Sequence, residues 1–308
     1  MAQQVTEHEI TPFRSEEENQ ALGKHPHALD FQFSPEDLAF LDKNGYVVVK
    51  GLFSEETCEQ MKKEVFERAH TLMGVEKDNH TTWDVLNEPH LTVSIDRVCL
   101  NAPTVVFDSE GKMIADFPER RKQIFHIHND MNLWDLSENK YQAGIALNDC
   151  PTGGFQCIPG FHKLEDIKRY REDYENGKFG EHRVPAEDET FVWFRDQEAI
   201  DKRAIQVPME KGDMVIWSAR LPHSAMPNMS AEWRIQCYIR MIPTAKHETY
   251  TAEVARSSRE GFKPRLFSTS NATGDVNFAW EVPLHKAPSP SWLGERLLGW
   301  KPWTAAAE

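Results

Sequence analysis

Apolar positions recur at helical spacing early in the chain and at strand spacing later, with the changeover near residue 91. Ser34-Pro35-Glu36-Asp37 reads as an N-cap, a Pro at the first helical position and acids in the first turn, and Asn44-Gly45 closes that short helix. Tyr46-Val47-Val48-Val49 is a β-branched run that predicts a buried strand. Ser54 then caps a longer helix, in which Cys58, Met61, Val65, Phe66, Ala69, Leu72 and Met73 form one apolar stripe before Gly74 ends it. Such a stripe is laid on a sheet.

From residue 91 the pattern predicts strands over 91–100, 105–107, 123–128, 142–147, 155–158, 191–194, 204–207, 214–218 and 233–241. Many short strands separated by Gly, Pro and Asn turns predict a sandwich or a barrel. The interval 163–203 breaks the rhythm: it is rich in Glu, Asp, Lys and Arg and carries a helix from about 164 to 174. A charged excursion of this kind is solvated or forms a lid at a barrel mouth. After residue 244, Pro283, Pro288 and Pro290 exclude a long element, and Trp292, Leu293, Leu297, Leu298, Trp300 and Trp303 predict a terminal segment packed on the barrel. The expected organisation is a polar N-terminal arm over 1–32, a β domain over 33–243 with a lid-like insertion at 163–203, and an extension over 244–308 docked on the same domain.

Composition narrows the function. A chain of 308 residues can bury a full core. Its formal net charge of −14 argues against nucleic acid as a partner, because phosphate neutralisation needs a basic surface. An anionic ligand must then be held by a local Arg or Lys. The first thirty residues lack an apolar signal core, and no run of about 18 apolar residues occurs. We therefore expect no membrane span and a cytoplasmic protein. The five cysteines show no C-x-x-C spacing, which favours free thiols over a disulfide framework or a zinc site.

The candidate chemistry centres on His128-Asn129-Asp130. On an extended strand, residues two apart share a face, so His128 and Asp130 point the same way. One distant His would complete the two-His-one-carboxylate set that holds Fe(II) with positions open for substrate and O2. A His-x-Asp triplet alone arises by chance about once in a chain of this composition, so its surroundings decide. His223 follows the buried strand 214–218 and is the candidate third ligand. Beyond it, alternation puts Arg234, Gln236, Tyr238 and Arg240 on one face and Ile235, Cys237, Ile239 and Met241 on the other. A face with two arginines lines a site or is solvated. Arg234, one strand connection past His223, offers a planar fork for a carboxylate, the alternative being a surface residue on an edge strand. His126 shares the face of His128 and Asp130; it meets a ligand or is a hydrogen-bonded barrel histidine.

Taken in order, His128-Asn129-Asp130, then Gly153-Gly154-Phe155-Gln156-Cys157-Ile158-Pro159-Gly160-Phe161-His162-Lys163, then Gly212-Asp213-Met214-Val215, then His223 with Asn228 and Arg234 resemble the phytanoyl-CoA dioxygenase family of Fe(II)/2-oxoglutarate oxygenases. Asn44-Gly45-Tyr46-Val47-Val48-Val49-Lys50-Gly51-Leu52 is similar to that family's opening strand, and the likeness spans 35–243. It implies a mainly β fold with flanking helices, a double-stranded β-helix or cupin-like jelly roll. It also implies that His128, Asp130 and His223 bind iron and that Arg234 grips the distal carboxylate of 2-oxoglutarate. The Pro159-Gly160-Phe161-His162 turn is implied to be a structural strand end. The chain departs from the family pattern at Ala225, where a small hydroxyl residue often contacts the cosubstrate, at Phe161 and at Gly153.

The implied activity is that of a mononuclear non-haem Fe(II) dioxygenase, which uses 2-oxoglutarate and O2 to oxidise a small organic metabolite, by hydroxylation, with release of succinate and CO2. Asp130 favours this over halogenation, which needs the carboxylate position for chloride. A redox-silent cupin-type metal protein, an isomerase or hydrolase, is the alternative, as is a non-catalytic binding relative. The expected partner is a small-molecule substrate, with neither nucleic acid nor membrane, and the oligomeric state stays open, a homodimer included. The segment 83–89 and the charged excursion are candidate pocket walls, and Trp134 and Trp217 either flank the pocket or pack in the core.

Overall fold

The computed structural model describes residues 32–87, 98–122, 126–134, 141–178, 192–194 and 197–241. From Phe33 onward they belong to one compact unit, Phe33–Ile242. The expected N-terminal arm, the C-terminal extension and its tryptophan cluster lie outside the described residues.

The helical periodicities fold as the caps dictate. Helix α1, Pro35–Asn44, starts on a reciprocal box between Ser34 and Asp37 and stops at Gly45, whose φ is 81°. Strand β1, Tyr46–Val49, follows at once, and Ser54 caps α2, Glu55–Met73. A 3-10 helix, His80–Asn87, comes next. The strands are β2 Val98–Asn101, β3 Val105–Phe107, β4 Met113–Asp116, β5 His128–Asn129, β6 Tyr141–Ala146, β7 Gly154–Cys157, β8 Val192–Trp193, β9 Ile205–Gln206, β10 Met214–Ser218, β11 His223–Met226 and β12 Arg234–Met241. Short helices α3, Pro118–Arg121, and α5, Gln197–Asp201, sit between strands, and α4, Leu164–Glu175, occupies the charged excursion.

Two five-stranded sheets result, ordered β1-β10-β6-β12-β2 and β8-β5-β11-β7-β9, with a separate β3-β4 hairpin. Among the described residues every pairing within the two sheets is antiparallel. From β5 onward the chain crosses repeatedly between the sheets, with β5, β7, β8, β9 and β11 in the second and β6, β10 and β12 in the first. That winding is the double-stranded β-helix, or jelly roll, with helices on its flanks.

Burial sorts the residues into layers. Ala146, Val215 and Trp217 of the first sheet meet Phe155 and Cys157 of the second in the interior. On the outer side of the first sheet, Cys58, Val65 and Ala69 of α2 pack on Val98, Leu100, Ile145 and Ile235. Each such fully buried aliphatic side chain contributes about 1.5–3 kcal/mol. Ile167, Tyr170 and Tyr174 of α4 pack on Ile127, Leu133, Ile158 and Phe161 behind the second sheet. The excursion is thus anchored by an amphipathic helix, with its charges on the other face.

Three expectations change. The strand expected over 123–128 is only the pair His128–Asn129 among the described residues, because β5 is laddered solely where it meets β11 and β8. His223, expected beyond a strand end, begins a strand of its own. Within the segment expected as a pocket wall, Trp83 is core: it is 3% exposed and its ring lies 4.8 Å from that of Trp233, under α2, while residues 88–89 lie outside the described residues.

Candidate metal centre

The two sequence-distant histidines meet as a direct cross-strand pair. His128 opens β5 and His223 opens β11, and the antiparallel register sets them opposite each other, with ring centroids 4.9 Å apart. Asp130 lies one residue beyond β5, in the bend that ends it. Period two still governs its direction, since the intervening Asn129 turns away, fully buried, and donates from Nδ2 to the Arg220 carbonyl at 2.8 Å. His128 Nε2 stands 3.8 Å from Asp130 Oδ1, and His223 Nε2 stands 3.8 Å from Asp130 Oδ2. One ligand atom from each of the three residues falls within 4.8 Å of the others.

Local backbone geometry sets the histidine tautomers. His128 Nδ1 lies 3.0 Å from the His126 carbonyl and His223 Nδ1 lies 2.9 Å from the Leu221 carbonyl, the same two-residue step back in each case. A carbonyl only accepts, so each Nδ1 carries a proton, and in the neutral ring the lone pair is then on the Nε2 that faces Asp130. Two imidazoles tied down through Nδ1, with one carboxylate, form the donor set of a facial metal site, and the set fits an iron ion.

The walls are aromatic. The Trp217 and Phe155 ring centroids lie 5.1 Å and 6.1 Å from that of His223, and 4.6 Å from each other. Cys157 shares the His223 rung of the ladder. Burial pushes its thiol up to about 12 and, against partial relief from Arg234, pushes Cys150 up to about 11, so both stay protonated and are poor metal donors.

Arg234 is an interior residue, 1% exposed. Nε donates to Asn101 Oδ1 at 3.0 Å, Nη1 to the Met226 carbonyl at 3.0 Å, and Nη2 to Asn101 Oδ1 and to Cys99 Sγ, the last at 3.2 Å. Among the described residues these partners are all neutral. Met226 ends the strand that His223 begins, so the guanidinium sits about 10 Å along β11 from the His223 rung, at about 3.3 Å per residue. Gln236 and Tyr238 follow Arg234 on the same face, joined by a Tyr238 hydroxyl to Gln236 Oε1 bond of 2.9 Å. The alternation read from the sequence is realised; the side chain of Arg240 lies outside the described residues.

Other candidates lie elsewhere. His126 faces Asp201, Nδ1 to Oδ2 at 2.9 Å. Trp134 packs on Tyr174 and donates to Glu175, which ties it to α4. His162 reaches back to the Asp42 carbonyl at 2.9 Å, and burial lowers its pKa and keeps the ring neutral. Gly160 donates to the Asn44 carbonyl at 3.0 Å, so the 159–163 turn clamps the end of α1. Asp213, 1% exposed, braces the start of β10 by accepting from Gly51 N, Glu210 N and Lys50 Nζ.

Gln142 is the residue that sequence reasoning passed over. Its Nε2 donates to Asp130 Oδ2 at 2.6 Å, and its Oε1 accepts from Trp217 Nε1 at 2.8 Å. The available signal was a lone Gln in the otherwise apolar and small-residue run Gln142-Ala143-Gly144-Ile145-Ala146.

A jelly roll that gathers two histidines and an aspartate at one end of its interior, with a buried arginine farther along, has the architecture of a mononuclear metal oxygenase. The family comparison gives the same answer: residues 41–236 match the model of the phytanoyl-CoA dioxygenase (PhyH) family, and the chain belongs to that family of Fe(II)/2-oxoglutarate-dependent dioxygenases. A Dictyostelium discoideum protein described as a candidate phytanoyl-CoA dioxygenase is 22% identical over 283 residues, covering 67% of this chain and 74% of its own length. Among solved structures, HygX from Streptomyces hygroscopicus, with nickel and 2-oxoglutarate bound, aligns at a TM-score of 0.41 and 14% identity over 68% of this chain and 87% of that one. The epimerase SnoN, in complex with Fe3+, alpha ketoglutarate and nogalamycin RO, aligns at 0.37 and 16% over 67% and 81%.

Proposed function

We propose that the protein binds one Fe(II) through His128 Nε2, His223 Nε2 and the Asp130 carboxylate, and hydroxylates a small organic metabolite with 2-oxoglutarate as cosubstrate, releasing succinate and CO2. The observation that carries this reading is Arg234. A guanidinium taken fully out of water is costly unless an anion meets it, and among the described residues Asn101, the Met226 carbonyl and Cys99 supply none. A dicarboxylate anchored at the metal end and reaching toward Arg234 would supply that charge in a fork geometry.

Iron bound at this site supplies the redox chemistry that couples oxidative decarboxylation of the cosubstrate to oxidation of the substrate. The chain's own contributions are separable. The carbonyls of His126 and Leu221 hold the imidazoles in the ligating tautomer. Phe155 and Trp217 keep water from the His223 side, and Arg234 fixes the far end of the cosubstrate. The net charge of −14 favours a small-molecule substrate over nucleic acid. A cytoplasmic setting belongs to this reading, because all five cysteines are free thiols, and no helix among the described residues is long and apolar enough to cross a membrane.

The test is anaerobic titration of the apoprotein with Fe(II) and then 2-oxoglutarate, watching for the visible metal-to-ligand band, followed by succinate release in air. His223→Ala should abolish iron retention. Arg234→Ala should weaken 2-oxoglutarate binding at least about 30-fold while leaving iron binding in place. Absence of the band in the unaltered protein, or equal loss of both ligands in Arg234→Ala, would sink the proposal.

A further inference from the structure

We infer that Gln142 and Trp217 are a positioning pair that fixes Asp130 for the metal, holding one carboxylate oxygen so that the other is presented to the ion. The inference rests on the metal-centre reading above and adds two residues to it.

Asp130 needs such a brace. It sits in a bend just past the two-residue strand β5, while His128 and His223 stand within paired strands. Gln142, by contrast, stands on β6, the central strand of the first sheet, paired to Trp217 of β10 on one side and to β12 on the other. It is 6% exposed and Trp217 is 2% exposed.

The direction of the brace follows from donor chemistry. The indole N–H only donates, so the atom 2.8 Å from it must be the Gln142 oxygen. That choice turns the amide nitrogen the other way, onto Asp130 Oδ2 at 2.6 Å. Trp217 therefore decides which way Gln142 points, and Gln142 decides which Asp130 oxygen is engaged. Asp130 Oδ1 faces His128 Nε2 at 3.8 Å, while Oδ2, the oxygen that Gln142 engages, lies 3.8 Å from His223 Nε2. A carboxylate held in this way ligates through one oxygen, and single-oxygen ligation leaves more of the coordination sphere for a chelating cosubstrate and O2.

The test is Mn(II) binding to the apoprotein, read by the EPR signal of free Mn(II), with circular dichroism to verify folding. Gln142→Leu should weaken Mn(II) binding about 10- to 100-fold. Trp217→Phe keeps a ring beside His223 but removes the donor, so it should weaken binding in the same direction and by less. Because the two act in series, the double variant should bind no more weakly than Gln142→Leu, within about twofold. A folded Gln142→Leu with Mn(II) affinity within about twofold of the unaltered protein overturns the inference while leaving the metal centre standing. So do losses that multiply in the double variant. If Gln142→Leu does not fold, Trp217→Phe decides alone, and unchanged affinity there overturns the pair. An unaltered protein that binds no Mn(II) overturns the metal-centre reading and this inference with it.

Discussion

At the scale of the residue, what distinguishes Arg234 is the neutrality of its cage. Asn101 Oδ1 accepts from both Nε and Nη2, which locks the guanidinium plane, while the Met226 carbonyl takes Nη1. These bonds satisfy donors without neutralising charge, so the fork is oriented and still electrostatically hungry. Asn101→Ala should leave the charge in place and let the plane swing. We expect 2-oxoglutarate affinity in the Mn(II)-loaded protein to fall about tenfold, by titration calorimetry, with Mn(II) affinity unchanged. Parallel loss of both would mean that Asn101 supports the fold rather than the fork. The proposed roles of His128 and His223 were open to inspection in the sequence because residue type already names the chemistry. Asn101 and Gln142 carry no such label: an amide reads as a strand or turn residue until its partner is known.

At the scale of the element, the junction of α1 and β1 is held by the turn over 159–163. Gly45 has φ 81°, and a Cβ added there would lie 2.5 Å from His162 Nδ1 and 2.9 Å from Leu221 Cδ1. Gly74 ends α2 with a similar φ of 70°, but a Cβ there meets nothing within 4 Å. The pair separates conformational cost from contact cost. Gly74→Ala should lose about 1–2 kcal/mol for the left-handed backbone alone, and Gly45→Ala should lose clearly more, both read by urea denaturation. Equal losses would show that His162 yields at no cost. Element boundaries were well marked in the sequence wherever a cap or glycine made them, as at Ser34, Gly45, Ser54 and Gly74. They were poorly marked at β5 and β11, where two to four residues become strand only because a partner lies alongside.

At the scale of the whole molecule, the compact unit Phe33–Ile242 packs its interior between two sheets, and on the proposed function metal and cosubstrate would stabilise that packed state. Mn(II) and 2-oxoglutarate present at about 100 times their dissociation constants should each add about 2.7 kcal/mol. For a unit of this size each addition should raise Tm by about 5–10 °C in a thermal melt, and EDTA should reverse both. In Arg234→Ala the metal increment should persist and the cosubstrate increment should vanish. The sequence by itself determined the helices with their caps, the mainly β class and the residue types of the centre, because capping, periodicity and ligand chemistry are local properties written in neighbouring residues. Only the tertiary structure decided that His128 and His223 are a cross-strand pair, that Arg234 is buried among neutral partners, and that Trp217 reaches Asp130 through Gln142. Those are matters of register between strands far apart in the chain. A one-residue slip would turn each side chain to the opposite face, and no local pattern encodes the pairing.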